Sequence, residues 1–276
     1  MSTHRIVWYI AFSAAGVAAL VLWVRHAGEV EPVPAAASPA ELVTTMMDRL
    51  AQDHPMDKPQ TKEAVRRVAE LTAAGTISSA EACYALGLWH AETKAFDSAE
   101  RAFRQCLAIR PGWSWPHNAL GIVLGNHAQN RLAEAEQEFR TAIRLEPEWS
   151  RPHNDLAILL RLAGRLDEAE QQALLALRLD PRNVATHNNY GNLLVARMRL
   201  DEAESEYLQA ISLDPSHPKP YYNLACVYAL QNKKNDAIPL LQKAFALSPT
   251  LRLDANTDPD FHALRNDPAF QTLLTP

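Results

Sequence analysis

Three near-identical tripeptides, Pro116-His117-Asn118, Pro152-His153-Asn154 and Thr186-His187-Asn188, set an imidazole beside a carboxamide at intervals of 36 and 34 residues. Imidazole is the commonest metal ligand and titrates nearest neutrality. Neighbouring packed helices lie roughly 8–10 Å apart, so equivalent histidines on two of them are within reach of one metal, but three in a row are not. The other reading is structural, a stack of imidazoles filling an aromatic position between helices. No nucleophile with a base in reach accompanies them, and the chain has no glycine-rich phosphate loop, no Gly-x-Ser-x-Gly and no His-Glu-x-x-His. The expectation is a protein without catalytic residues, resident metal or cofactor. The amides carry a different chemistry, because each has both a donor and an acceptor and pairs with peptide backbone of any sequence. Asparagines close to a helix start also satisfy local backbone groups, so both readings of the amide row stand.

These residues sit inside a repeat. Pro111, Pro147, Pro181, Pro215 and Pro249 are spaced by 36, 34, 34 and 34 residues, and Ala99, Ala135, Ala169, Ala203 and Ala237 keep the same spacing. The pairs Leu86-Gly87, Leu120-Gly121, Leu156-Ala157, Tyr190-Gly191 and Leu224-Ala225 take their longer gap one step later, which puts the two extra residues between Gly121 and Ala135. Within a unit the apolar residues recur at helical spacing, as in Tyr190, Leu193, Leu194, then Ala203, Tyr207, Ala210 and Ile211. That spacing predicts two antiparallel helices, A and B, joined by a turn such as 197–201. Asp167 with Glu170, and Asp201 with Glu204, fit a capping residue followed three later by a carboxylate. The proline after helix B closes each unit.

The pattern resembles the tetratricopeptide repeat family, carried best by 188–215 and 221–249 and covering roughly 170 of the 276 residues. Cys83, His117, His153 and His187 stand where that family prefers a bulky apolar residue, and Ala173 replaces the helix B aromatic. The resemblance implies an all-α, right-handed solenoid of five units over 79–249, whose concave face, lined by the A helices, holds a protein or peptide partner. Carried onto this chain, the partner-binding residues are Asn118, Arg151, Asn154, Asn188, Asn189, Asn192, Lys219, Tyr222 and Asn223. A subset of the family clamps C-terminal carboxylates; Asn189 and Lys219 match that pattern, whereas Asn154, Ile158 and Asn223 do not, so clamping is not expected. Trp113 and Trp149 open two units and are read as packing on the preceding helix B, with an aromatic docking patch including Trp115 as the alternative.

Composition agrees with a helical repeat: 47% of residues are hydrophobic, only 9 are glycine, and the net charge of −5 offers no footprint for nucleic acid. Three cysteines, without metal-ligand spacing, read as buried free thiols, with a Cys83–Cys106 bridge the alternative. Residues 6–24 carry no charge over 19 positions and would span about 28 Å as a helix, close to a bilayer's hydrocarbon thickness. We read residues 1–26 as a membrane anchor rather than a cleaved signal peptide, because Trp23, Val24, Arg25 and His26, not a small-residue site, follow the apolar run. The flanking charges and the amino terminus favour an inside N-terminus, and the Arg- and Ala-rich composition suggests a bacterium. The repeats would then lie in the periplasm, tethered to the inner membrane by a Pro/Ala linker at 27–39. Helices are expected within 40–78, as a cap before the repeats, and within 250–276, where Asp258-Pro259 and Asp267-Pro268 each start one. Ser78 with Glu81 is read as the cap of the first repeat. The acidic residues Asp254, Asp258 and Asp260 are assigned to capping rather than to a metal. Together these features predict a membrane-tethered scaffold. One form resembles the anchored repeat subunits of cytochrome c maturation systems, which hold an unfolded client; the other is a permanently assembled accessory subunit of a membrane enzyme complex.

Overall fold

The computed structural model describes residues 38–52, 59–127 and 131–275, so the apolar segment 6–24 and nearly all of the linker lie outside the described residues. No helix among the described residues is long and apolar enough to cross a membrane. The described chain is helical from end to end: α1 (Pro39–Gln52), α2 (Pro59–Ala73), α3 (Ala80–Glu92), α4 (Phe96–Ile109), α5 (Ser114–His127), α6 (Leu132–Leu145), α7 (Ser150–Leu162), α8 (Leu166–Leu179), α9 (Val184–Ala196), α10 (Leu200–Leu213), α11 (Pro218–Leu230) and α12 (Lys234–Leu247). A short α13 (Leu251–Thr257), a 3-10 turn (Pro259–Leu264) and α14 (Pro268–Leu274) complete it. Consecutive helices pair as hairpins, α3 with α4 through α11 with α12, and each second helix packs on the first helix of the next unit. First helices of successive units also touch one another, from α3 with α5 to α9 with α11, while second helices make no comparable contact. The A helices therefore line the inside of the curve and the B helices its outside. The pair α1–α2 docks on α3 as an added hairpin at the front.

Close approach of A to B has a steric origin. A Cβ placed on Gly191 would lie 2.5 Å from Cε1 of Tyr207, and one on Gly121 would lie 2.7 Å from Cε1 of Phe139. Gly87 faces Phe103 in the same way. Where helix A carries alanine instead, the ring is gone: Ala157 belongs to the unit with Ala173, and Ala225 to the unit with Leu241. All five of these B-helix residues are buried. Volume is thus exchanged across the hairpin, ring against glycine and smaller side chain against alanine.

Units are tied to one another by a charge ladder at the A–B turns. Arg131 donates to Glu100 of the preceding unit at 2.6 and 2.9 Å and to its own helix's Glu134 at 2.8 and 3.1 Å. Arg165 repeats this with Glu136 at 2.7 Å and Glu168 at 2.6 Å, and Arg199 with Glu170 at 2.5 Å and Glu202 at 2.6 Å. Lys233 stands 3.9 Å from Glu204 at the last step. Bridging two carboxylates fixes one guanidinium between two units, and the Arg131 side chain holds the Glu100 carboxyl down at about 2.

This ladder corrects the capping expectation. Helix B starts at Leu166 and Leu200, so Arg165 and Arg199 occupy the cap position without a side-chain bond to the backbone. Asp167 and Asp201 fall inside the first turn, while Glu170 and Glu204 reach into the next unit. Local pattern alone favoured the aspartates; the guanidinium-to-carboxylate bonds between units prevail. At the first repeat the cap is Ser79, which accepts from the Ala82 amide at 3.1 Å, and Glu81 pairs with Arg110. Asp258 and Asp267 do cap their short helices, accepting from the amides of Asp260 and Ala269 at 3.0 and 2.9 Å.

Gly191→Ala tests the volume exchange. The added methyl gains about 1 kcal/mol of helix propensity but meets a ring that is almost fully buried, and overpacking costs about 1–3 kcal/mol. Net destabilisation is expected by thermal unfolding, and its sign should invert in a Tyr207→Leu background, which reproduces the arrangement of Ala225 with Leu241. Equal effects in both backgrounds would contradict the steric account.

Candidate functional site: the inner face of the A helices

Residues one turn apart on each A helix face inward and align across units. On α5 these are Trp115, Asn118 and Ile122; on α7, Arg151, Asn154, Asp155, Ile158 and Arg161; on α9, Asn188, Asn189 and Asn192; on α11, Lys219, Tyr222 and Asn223. The structure joins most of the polar members to each other. Asn118 donates to Asp155 at 2.9 Å, and Asn154 donates to the other oxygen of Asp155 at 3.1 Å. Asn189 donates to Asn154 at 3.1 Å, and Asn223 donates to Asn188 at 2.9 Å and to Asn192 at 3.0 Å. The Tyr207 hydroxyl completes the row by donating to Asn192 at 2.7 Å. Arg151 lies 3.8 Å from Asp155.

Burial divides the set. Asn118, Asn154, Asn188 and Tyr222 are buried, and Lys219 is exposed; Arg151, Asn189, Asn192 and Asn223 are half-buried. The buried amides are thus structural rungs between neighbouring A helices, and the half-buried ones form the face that water reaches. Asn189 and Asn223 use their amide hydrogens on the row and keep their own Oδ1 without a hydrogen bond among the described residues. Tyr222 turns toward the C-terminal cap, where its hydroxyl donates to Asp258 at 2.8 Å. Asp258 lies with Cys226 and Asp260 in one cluster whose ligand-type atoms are within 4.8 Å of one another, Asp254 not being among them. Burial and the neighbouring carboxylates push the Cys226 thiol well up, and burial raises Asp260. All three cysteines are buried free thiols.

The three repeat histidines are held by hydrogen bonds at both ring nitrogens. Each clips the start of its A helix to two partners. His117 Nδ1 meets Glu138 at 2.6 Å and its Nε2 meets the Pro111 carbonyl at 3.0 Å. His187 meets Glu206 at 2.7 Å and the Pro181 carbonyl at 3.1 Å, and His153 meets Gln172 at 2.8 Å and the Pro147 carbonyl at 3.3 Å. In the fifth unit Tyr221 takes over, donating to the Pro215 carbonyl at 3.1 Å. The aromatic position is therefore used for its polar edge, fastening helix A to the proline that ended the previous unit.

The Trp113 ring meets both the C-cap of the preceding helix B and the preceding helix A. Trp113 sits under the Arg110 guanidinium, 4.9 Å from its ring centre, and against Tyr84 of helix A at 5.0 Å. Trp115 lies between Trp113 and Trp149, 6.1 Å from the first and 6.3 Å from the second, which makes a half-buried aromatic run at the rim of the inner face. Sequence reasoning missed the Tyr207 hydroxyl and Arg161. The first is a core ring whose polar end shows only once Asn192 is placed, and the second is an arginine with no local motif.

Tetratricopeptide-repeat family models match residues 80–112, 128–184, 191–232 and 218–251. A search of curated proteins gives no match. Among solved structures, a chain of the APC/C hetero-tetramer Cut9–Hcn1 aligns at TM-score 0.64 with 14% identity, over 86% of this chain and 52% of that one. A thermophilic TPR protein of Thermus thermophilus aligns at 0.58 with 19% identity, over 70% of this chain and all of that one. The pilF protein of Pseudomonas aeruginosa aligns at 0.55 with 19% identity, over 79% and 97%. At these identities the likeness is one of fold.

The histidine clips make stability depend on pH. Both nitrogens of His117 and His187 face acceptors, which only the imidazolium satisfies fully. For His187 the Glu206 hydrogen bond outweighs burial and raises the pKa above its ordinary value near 6.5; for His117 burial lowers it, but the bonds to Glu138 and Pro111 prevail and the net shift is upward. A raised folded-state pKa contributes stability that is complete below about 6.5 and is lost as pH rises through the folded value. The melting temperature should therefore fall from pH 6 to pH 8.5, by about 2–4 °C per kcal/mol lost. His117→Gln/His187→Gln should flatten that slope; an unchanged slope would contradict the clips.

Proposed function

We propose that this chain of tetratricopeptide repeats is a scaffold that holds an extended polypeptide against the inner face of its A helices. The observation that carries the reading is the amide row. Carboxamides recur from α5 to α11 in two hydrogen-bonded groups, Asn118, Asp155, Asn154 and Asn189, then Asn188, Asn223 and Asn192, with Asn189, Asn192 and Asn223 half-buried on the inner face. Pre-organised amides lose little freedom on binding and accept or donate to backbone of any sequence. That suits a client recognised by extension rather than by a motif. The uncharged apolar run at 6–24, read as an anchor that stays on the chain, would tether it to a bilayer, and a bacterial inner membrane with periplasmic repeats is the topology that reading gives. Holding an unfolded client for a membrane enzyme, as in cytochrome c maturation, is the use that combines these features. A second reading, a permanent accessory subunit, draws on the half-buried tryptophan run at the rim. Enzymatic activity has no place in either.

Asn189→Ala with Asn223→Ala should weaken peptide binding by about 0.5–1.5 kcal/mol for each amide pair lost, measured by fluorescence anisotropy on the purified chain. Undiminished binding, together with loss on Trp113→Ala and Trp149→Ala, would move the interface to the rim and favour the second reading. Full-length chain should fractionate with membranes and resist alkaline carbonate. Recovery in the soluble fraction with a trimmed N-terminus would overturn the anchor.

A further inference from the structure

Resting on the groove reading, we propose that Arg161 anchors a side-chain carboxylate of the bound segment, so that the preferred occupant is an extended peptide with one Asp or Glu set among apolar residues. Arg161 lies on α7 one turn beyond Ile158, on the same inward face. Its side chain is half-buried and carries no hydrogen bond or ion pair among the described residues. Arg110, Arg131, Arg165, Arg197 and Arg199 each pair with a carboxylate, and the half-buried Arg252 and Arg265 lie over the Phe245 ring and on backbone carbonyls respectively. Burial pulls the Arg161 guanidinium down from its ordinary value, and only the Tyr207 side chain opposes this. A charge partly withdrawn from water without a countercharge does not serve the fold.

The surroundings say what the countercharge comes with. By repeat register Val195 is the counterpart of Arg161, Ile122 and Ile158 stand one turn before that position and Leu162 and Leu230 one residue after it; the first three are half-buried, and Leu162 and Leu230 are exposed at 62% and 40%. The carboxylate of the α7 inner face, Asp155, is already engaged by Asn118, Asn154 and Arg151. A planar guanidinium in an apolar strip complements a carboxylate flanked by aliphatic side chains, which it takes through two parallel hydrogen bonds. The amide row runs beside this strip and grips the backbone, while Arg161 selects the register.

The test uses the full chain and four labelled nonapeptides of Leu and Val, acetylated and amidated, with Asp, Asn or Lys at the centre, plus an all-aliphatic one with a free C-terminal carboxylate. The Asp peptide should bind about tenfold tighter than the Asn peptide, as expected for a hydrogen bond to a charged group, and added salt should narrow the gap. Arg161→Gln should bring the Asp peptide to the Asn level with an unchanged or higher melting temperature, and Arg161→Lys should recover part of the difference. A lowered melting temperature in Arg161→Gln, or Asp and Lys peptides binding alike, would overturn the anchor. So would selectivity for the free C-terminal carboxylate alone. If the Asp and Asn peptides bind equally and Asn189→Ala/Asn223→Ala weakens both, the anchor fails while the groove stands. If no peptide binds, both fail.

Discussion

The arrangement depends on one steric contact, the ring of helix B seated where a Cβ of helix A would be. Phe103, Phe139 and Tyr207 fill that place against Gly87, Gly121 and Gly191. The contact sets how closely the two helices of a unit approach, and that distance sets how far the next unit is displaced. Because each unit touches only its neighbours, a small shift in one hairpin is carried into every later A helix. The inner face is therefore a product of packing beneath it. Tyr207 shows the connection directly, since its ring seats under Gly191 and its hydroxyl holds Asn192 in the amide row.

Two polar systems are built on that frame, and they face opposite demands. The Arg–Glu ladder at the A–B turns is saturated: each guanidinium spans two units and has little capacity left for a ligand. The amide row on the inner face is only partly satisfied. Its buried members each take a partner, Asn118 and Asn154 sharing Asp155 and Asn188 accepting from Asn223, because a buried carboxamide without partners costs about 1–3 kcal/mol; Asn118 Oδ1 is left without one among the described residues. Of its half-buried members, Asn189 and Asn223 keep an Oδ1 without a hydrogen bond among the described residues, while the Asn192 Oδ1 accepts from Tyr207 and Asn223. Arg161 stands at the extreme of this gradient, a half-buried cation without an ion pair among the described residues.

Much of this was legible from spacing, for a physical reason. Glycine or alanine, alanine and proline recur every 34 residues, with one interval of 36, because each answers a backbone constraint that repeats with the unit. Helices within 40–78 and 250–276 followed from periodicity and from aspartates before prolines, although α13 did not. What spacing hid were bonds between units. Arg165 looks like a turn residue until Glu136 is brought beside it, and the aspartates of 165–170 and 199–204 then lose their capping role. The asparagines were singled out for their chemistry, but Asn189 with Asn154 and Asn223 with Asn188 are partners 35 residues apart, which no local pattern reveals. The histidines were read as ring stacking, and their hydrogen bonds to the proline carbonyls depend on how the chain folds back at each unit boundary.

The central claim is that the inner face, not the outer, receives the partner. A photo-crosslinking amino acid placed singly at Lys219 and Leu162 on the inside, and at Leu174 and Leu208 on the exposed outer face of the B helices, tests it in living cells. The account predicts one polypeptide adduct shared by the two inner positions and absent from the two outer ones. The same adduct at Leu174 and Leu208, with none at Lys219 or Leu162, would contradict it.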